Sequence, residues 1–381
     1  MSAAAARRRK QLEARQTAND SVAQQLQKIL TNENDLDEAT AYEALQMAQS
    51  QVRKHIKSAD YSKACDLSYE TSLALLKKKR VSVASQLLDL LVQVLRETHT
   101  EESPVWLERL QELHEAHAKA MEEESLNSQE AVRLERLQRD WLQTCANWSS
   151  DLGTIKYGNN SLQKMLGFQC WKLSKITDDE EETLDLQCSA VQHMMCAEEP
   201  LEICRWLESL PAPTEEQTKQ GHTCAPALRD GLLTRSLLLA CALENLRDAN
   251  ALLQAFIEVV TKEGTDVQAL AKSYTNKEDG KAPSHLIFGC MLLRVCEKDV
   301  RTGPLFTWLM KSFRRELDLL PHASALQSYT TKVGKLYFNI QPPPSMISMM
   351  ENMMGMMGGG GGMGGMNPAM MQAMAAQMRG M

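Results

Sequence analysis

ASQLLDLLVQVL, residues 84–95, carries the clearest structural signal in the chain. Its apolar side chains recur at steps of three and four residues, as Ala84, Leu87, Leu88, Leu91, Val94 and Leu95. This spacing places them on one face of an α-helix, whose period is about 3.6 residues. Because such a face must be covered by a neighbour, the stretch predicts a helix that packs against other helices.

The same kind of pattern extends from Asp37 to about Lys335, and no long alternating run indicates a β-sheet. Small residues recur in successive segments, at Ala44, Ala64 and Ala84, and small side chains let neighbouring helices approach closely. The pattern resembles tetratricopeptide-type stacking, although the strict repeat of about 34 residues is absent. The sequence predicts an all-α fold, an α-solenoid of stacked antiparallel helix pairs.

Composition and charge narrow the functional classes. The 381-residue chain is 43% hydrophobic but only 5% aromatic, which favours helix packing over a sheet core. A formal net charge of −7 argues against nucleic-acid binding, which normally requires a basic surface. Ten cysteines, most of them among Leu and Ala, indicate buried thiols in a reducing compartment. No secretory signal or membrane span is recognisable, so the sequence predicts a cytosolic protein that does not insert into membranes.

Breaks in the helical pattern divide the chain into segments. Residues 1–35 form a basic, Gln-rich arm that is predicted to be a frayed helix or disordered. Residues 36–210 form the N-terminal half of the solenoid, and residues 211–341, which begin at a cluster of prolines, form the C-terminal half. Within the C-terminal half the polar stretch 262–284 predicts either a short β-hairpin or an ordered loop.

The last segment, residues 342–381, differs in composition from everything before it. It opens with three prolines, which stop further helix, and holds fourteen of the 22 methionines. A glycine block at 358–362 makes an ordered backbone costly, so a disordered Met/Gly-rich tail is predicted. Two interpretations stay open: an inert low-complexity tail, or a segment whose thioether side chains contact apolar partners. In the second, the Met clusters at 349–357 and 370–378 hold client helices or fill an apolar groove.

No motif in the sequence predicts catalysis or a cofactor. The phosphate-binding pattern GxxxxGK[ST] is absent. His114 and His117 do not form an HExxH pattern, and their setting indicates a charged helix face exposed to solvent. The remaining soft-ligand group, spaced too widely for a structural zinc site, consists of Cys188, His193, Cys196 and Cys204. The sequence therefore predicts a protein that is not an enzyme and that works by holding other proteins.

Several short motifs occur in an order that points to a known family. YEALQM at 42–47 is followed by KACDL at 63–67, similar to a YEAHQM-like helix and then an ARELM-like helix. KLYFNI at 335–340, with Pro342 and Pro343, is similar to a terminal LFFGIxPP-type ending. In these features the chain resembles, over about 37–344, the Golgi-to-ER traffic protein 4 family of cytosolic α-solenoid adaptors in the guided-entry pathway for tail-anchored membrane proteins.

The resemblance implies an adaptor with two docking sides and no catalytic activity or cofactor. The N-terminal half is implied to dock the targeting ATPase, and the C-terminal half a ubiquitin-like-domain protein. A BAG-domain scaffold protein is a further implied partner. Carried over by position, the ATPase side comprises Tyr42, Glu43, Gln46 and Arg53. The ubiquitin-like side comprises Leu286, Ile287, Phe288, Leu292 and Leu293.

Two departures from the family pattern fall on the ATPase side. Leu45 stands where the family often has His, and Gln86 stands where an Asp is common. The alternative function is a helical-repeat scaffold subunit of another cytosolic regulatory complex. Binding of a ubiquitin-like-domain protein distinguishes the two, because only the first requires it.

Overall fold

The computed structural model describes residues 24–31, 36–123, 127–219, 225–269, 285–298 and 300–341. The rest of the predicted arm, most of the 262–284 stretch and the predicted tail lie outside these ranges. Within them the chain is helical and contains no β-strand, so the predicted all-α fold is confirmed. The hairpin predicted at 262–284 falls mainly on residues outside the described ranges, and 267–269 are helical.

The helices are numbered here in chain order. The N-terminal ones are α1 (24–31), α2 (Glu38–Lys57), α3 (Tyr61–Lys77), α4 (Val81–Glu97), α5 (Pro104–Glu123), α6 (Ser128–Leu152), α7 (Asn160–Leu173), α8 (Glu180–Cys196) and α9 (Pro200–Glu208). The C-terminal ones are α10 (Glu215–Lys219), α11 (Leu228–Ala242), α12 (Leu246–Lys262), α13 (described at 267–269), α14 (His285–Cys296), α15 (Gly303–Ser312), α16 (Arg314–Asp318) and α17 (Ala323–Phe338), with a 3₁₀ turn at Val300–Thr302.

Helix α4 contains the stretch from which the fold class was predicted, and it behaves as expected. All six of its periodic apolar residues, from Ala84 to Leu95, are at most 1% exposed. The opposite face, which includes Gln86 and Gln93, is exposed. Burying a Leu side chain contributes roughly 1.5–3 kcal/mol, so this face alone accounts for a large part of the local stability.

The helices stack in the manner of a solenoid. α3 packs against both α2 and α4, and α7 packs against both α6 and α8. α4 also contacts α6, and α3 contacts α5, so alternate helices lie in two layers. The stack continues where α11 packs on α8 and α12 packs on α9. This arrangement confirms the predicted α-solenoid of helix pairs.

Several tight turns between successive helices share one backbone geometry. The residue at the bend is left-handed, with φ between 58° and 63°, in the turns at Ala59, Lys79, Glu198 and Glu244. In each turn the following amide donates a hydrogen bond to the carbonyl five residues before it, for example Asn245 N to Ala240 O at 2.9 Å. This bond caps the C-terminus of the preceding helix. A left-handed residue other than glycine costs roughly 1–2 kcal/mol, which the capping and packing offset.

His114 and His117 turn towards the interior while Glu112, Glu115 and Lys119 beside them are exposed, so the prediction that the two histidines face solvent is wrong. His117 is 1% exposed, and His114 Nδ1 lies 3.0 Å from Gln138 Nε2 on α6. Glu135 on α6 is also buried and pairs with Lys172 Nζ of α7 at 2.6 Å. Burial lowers the pKa of His117 to about 4, which keeps its imidazole neutral at pH 7. Polar residues enter the interior here because neighbouring helices supply hydrogen-bond partners to most of them.

Helix α17 returns along the chain to contact the N-terminal half. Its N-terminal neighbour His322 places Nε2 2.6 Å from Asp185 Oδ1 on α8. Further along, Lys332 Nζ donates to Tyr157 Oη at 2.8 Å, in the connection between α6 and α7. Because α17 also packs on α11, it ties the two halves of the stack together.

Candidate protein-binding surfaces

Helix α2 presents a polar face to solvent. Asp37 caps its N-terminus by accepting a hydrogen bond from the Thr40 amide at 3.1 Å. The Thr40 side chain, together with this amide, lowers the pKa of the Asp37 carboxyl. The buried face is narrow and built mostly of small residues, Ala41, Ala44, Leu45, Ala48 and Val52. Small side chains bring α2 close to its neighbours and leave the long polar side chains outside.

All four residues predicted for the ATPase side lie on this exposed part of α2. Tyr42 is 38% exposed, and Glu43, Gln46 and Arg53 are exposed as well. A shallow groove runs beside the C-terminal part of the helix, lined by Gln46, Gln49, Ser50, Arg53, Lys54 and Lys57. Three of its six lining residues are cationic. The binding role of these residues stays a prediction, but their position leaves them accessible.

A second groove, of opposite charge, lies between α4 and α6. It is lined by Asp89, Gln93, Arg96, Glu97, Asp140 and Thr144. Burial, with a contribution from Asp140, raises the pKa of the Asp89 carboxyl. The Arg96 guanidinium is engaged by Asp151 at 2.8 Å, so the carboxylates dominate the groove. α2 and α4, which carry residues of the two grooves, contact each other.

The five residues predicted for the ubiquitin-like side are buried. Leu286, Ile287, Phe288, Leu292 and Leu293 on α14 are all at most 6% exposed. Phe288 packs against Phe313 with ring centroids 5.0 Å apart, and His285 Nδ1 lies 2.9 Å from Thr234 Oγ1 on α11. A Cβ at Gly289 would lie 2.6 Å from Leu237 Cδ1, so glycine permits the close approach of α11. In this fold the five side chains form core, and a direct contact with a partner stays a prediction.

Exposed apolar residues occur after α14, in the 3₁₀ turn and on α15. Leu305 and Trp308, three residues apart on α15, are 55% and 49% exposed, and Val300 in the preceding turn is 53% exposed. Phe306 and Leu309 on the other side of α15 are buried. The signal in the sequence is that α15 is apolar on both faces although only one of them is needed for packing. Large exposed apolar side chains that cluster mark a docking surface.

Among the described residues, no group of three or more His, Cys, Asp or Glu side chains is arranged to hold a metal ion. The nine cysteines that the structure describes are free thiols. Burial raises the pKa of Cys65, Cys196 and Cys204 to about 11, so these sulfurs are protonated at neutral pH and weakly nucleophilic. No helix in the described ranges has both the length and the apolar character to cross a membrane.

Comparisons with known proteins agree with this architecture. The family model described as Golgi to ER traffic protein 4 matches residues 58–358, a range that begins just after α2. Among solved structures, the crystal structure of C. therm. Get4 matches with a TM-score of 0.53 and 18% identity, covering 92% of this chain and 99% of that one. At this identity the structural match supports the fold. A search of the curated proteins gave no match.

Proposed function

The chain belongs to the Golgi to ER traffic protein 4 family, and from this membership we propose that it is a non-enzymatic adaptor in the delivery of tail-anchored membrane proteins to the ER. It acts in the cytosol and bridges a ubiquitin-like-domain partner and its co-chaperone to the targeting ATPase. The family match over 58–358 carries this proposal. The arrangement of two unlike exposed surfaces on one helical stack supports it.

The ATPase docks on the exposed face of α2, with Tyr42, Glu43, Gln46 and Arg53 in the contact. Lys54 and Lys57 add positive charge to the groove along α2, and the groove between α4 and α6 is acidic. A partner with the reverse order of charges would be steered to this face, because complementary potentials speed association and reject other partners. The family match starts at residue 58, so the assignment to α2 rests on exposure and charge.

The ubiquitin-like-domain protein docks on the apolar side of α15. Leu305 and Trp308 provide exposed anchors of the type that dominate interface energetics. The predicted set on α14 supports this surface from beneath, since α14 packs on α15 and Phe288 contacts Phe313 at its end. A BAG-domain scaffold protein is a further partner in the proposed complex.

Binding measurements with two variants test the proposal. The pair Glu43→Lys with Arg53→Glu is expected to weaken binding of the purified ATPase and to leave the ubiquitin-like partner bound. The pair Leu305→Ser with Trp308→Ser is expected to do the reverse. All four side chains are exposed, so both variants keep the fold, which circular dichroism checks. If the unmodified chain binds neither protein, the adaptor proposal is wrong.

A scaffold subunit of another cytosolic regulatory complex is the competing function. It predicts the same helical fold and the same exposed surfaces, but different partners. Mass spectrometry of the complex purified from cell extract separates the two. Recovery of the targeting ATPase together with a ubiquitin-like-domain protein supports the adaptor, and recovery of an unrelated assembly without them supports the scaffold.

A further inference from the structure

A third groove lies where the two halves of the stack meet, away from both proposed docking surfaces. Its volume is about 700 Å³. Four separate parts of the chain line it: the connection between α6 and α7, the end of α8, the turn from α11 into α12, and the end of α17. Cavities of a few hundred Å³ with mixed apolar and polar walls are typical binding sites.

Apolar side chains form somewhat more than half of the wall of this groove. Ile155 and Leu336 both line it and are 41% and 42% exposed. Leu243, Leu246 and Tyr337 are partly buried and complete the apolar lining. Exposed aliphatic side chains that converge on one depression gain stability when another apolar segment covers them.

The charged residues in the lining are Arg247, Glu198 and Glu244, and the arginine is already paired within the protein. The Arg247 guanidinium places Nη2 2.7 Å from Glu198 Oε2 and Nε 2.8 Å from Asp248 Oδ1. The positive charge of Arg247 is therefore balanced by carboxylates of the protein itself. The groove favours an occupant with little charge and an adaptable apolar surface.

The groove is held in shape before anything binds. Lys332 Nζ on α17 donates to Tyr157 Oη at 2.8 Å, which fixes the end of α17 against the connection that carries Ile155. The Gly158 amide donates to the Ile155 carbonyl at 2.9 Å, so that connection forms a closed turn. A preformed groove lowers the ordering cost of binding.

A segment of the same chain begins beside this groove and has the required chemistry. Leu336 and Tyr337 line the groove, and the described chain ends four residues after Tyr337, at Gln341. Residues 349–357 read MMENMMGMM, with six methionines and one charge. Met349 follows Gln341 by eight residues, which span up to roughly 28 Å when extended. Unbranched thioether side chains adapt to irregular apolar walls.

We infer that residues 349–357 bind in this groove within the same molecule. The short tether gives these methionines an effective concentration on the order of millimolar. An apolar segment from another protein reaches the groove only if it outcompetes the tethered one. Only ligands that bind the groove more tightly than the tethered tail can displace it.

Photo-cross-linking in the full-length protein tests the inference. Ile155→p-benzoylphenylalanine places a photoreactive group in the groove, far in sequence from the tail. Irradiation is expected to give cross-links to methionines in 349–357, found by mass spectrometry in the monomeric band of a denaturing gel. Leu201→p-benzoylphenylalanine is the matched control, because Leu201 on α9 is 56% exposed and does not line the groove. Its yield of the same cross-links is expected to be several-fold lower.

A second variant confirms that the groove is responsible. Leu336→Glu, combined with the photoreactive group at 155, is expected to lower the yield several-fold without changing the circular dichroism, since Leu336 is partly exposed. Three results would overturn the inference: no cross-link to 349–357, equal yield from position 201, or a cross-linked species of twice the monomer mass. The last would show that the tail binds a second copy.

Discussion

Helices α2 and α14 use their surfaces in opposite ways. α2 buries one narrow face, mostly alanine, and turns tyrosine, glutamine and cationic side chains to solvent. α14 is apolar around most of its circumference and is enclosed by α11, α12 and α15. The main neighbours of α2 lie along one side only, at α3 and α4. The number of neighbours therefore decides how much of a solenoid helix is free to bind a partner.

The largest difference in unfolding free energy between variants of the two helices is expected when an aromatic residue is truncated. Phe288→Ala on α14 removes a side chain with 0% exposure and leaves a cavity next to Phe313. The expected loss in free energy of unfolding is about 3–5 kcal/mol, measured by urea denaturation followed by circular dichroism. Tyr42→Ala on α2 is the control and is expected to lose far less. Equal losses would mean that α14 is not core.

The pH dependence of stability should also separate the two helices. Burial lowers the pKa of His285 on α14 to about 4, below the value of about 6.5 of an unfolded chain. Its contribution to stability is therefore complete above pH 6.5 and is lost as the pH falls from there towards 4. Between pH 7 and pH 5 this histidine accounts for about 2 kcal/mol of lost stability.

Urea denaturation at the two pH values measures this contribution. His285→Gln cannot titrate, so its stability is expected to fall less between pH 7 and pH 5 than that of the unmodified protein. The control is Gln46→Ala on α2, an exposed residue without a titratable group, whose pH-dependent loss is expected to equal that of the unmodified protein. An unchanged loss in His285→Gln would contradict the burial of this imidazole.

A smaller effect is expected from shortening an aliphatic residue on the buried face of α2. Val52 is 0% exposed, and Val52→Ala removes about two methyl groups from the core, which costs about 1.5 kcal/mol. The urea midpoint of unfolding reports the change. A loss as large as that of Phe288→Ala would show that α2 and α14 contribute equally to the core, and the comparison would fail.

The smallest change in stability is expected on the exposed face of α2. Glu43→Lys combined with Arg53→Glu is expected to shift the free energy of unfolding by no more than about 0.5 kcal/mol, since neither residue packs in the core. Association with the ATPase should slow, and more so at low salt, when measured by stopped-flow mixing. A large loss of stability would instead indicate that these side chains support the stack.

Local pattern made the fold predictable. The spacing within 84–95 fixes one buried face without reference to the rest of the chain, and the structure buries all six of its apolar residues. Whether the side chains of α14 lie in the core or on the surface was not predictable in this way. When a helix is apolar all round, as at Leu286 to Leu293, its sequence cannot tell a surface from a core, because distant helices such as α11 decide the matter.

The burial of polar residues was equally hard to predict from the sequence. His117 and Glu135 lie in a strongly charged stretch, yet both are buried. Glu135 on α6 is stabilised there by Gln169 and Lys172 on α7. Leu305 and Trp308 on α15 are the converse case, exposed although apolar. In both cases the missing information is which helices meet, and that depends on contacts between residues far apart in sequence.

The return of α17 to the N-terminal half has a consequence for the protein during its synthesis. His322 and Asp185, which pair across this contact, are separated by 137 residues. At about 5–20 residues per second, translation takes roughly 7–27 s to cover that distance. Throughout this interval Asp185 on α8 has emerged without its partner, so the polar contact that joins the two ends of the stack forms only after translation of the C-terminal helix.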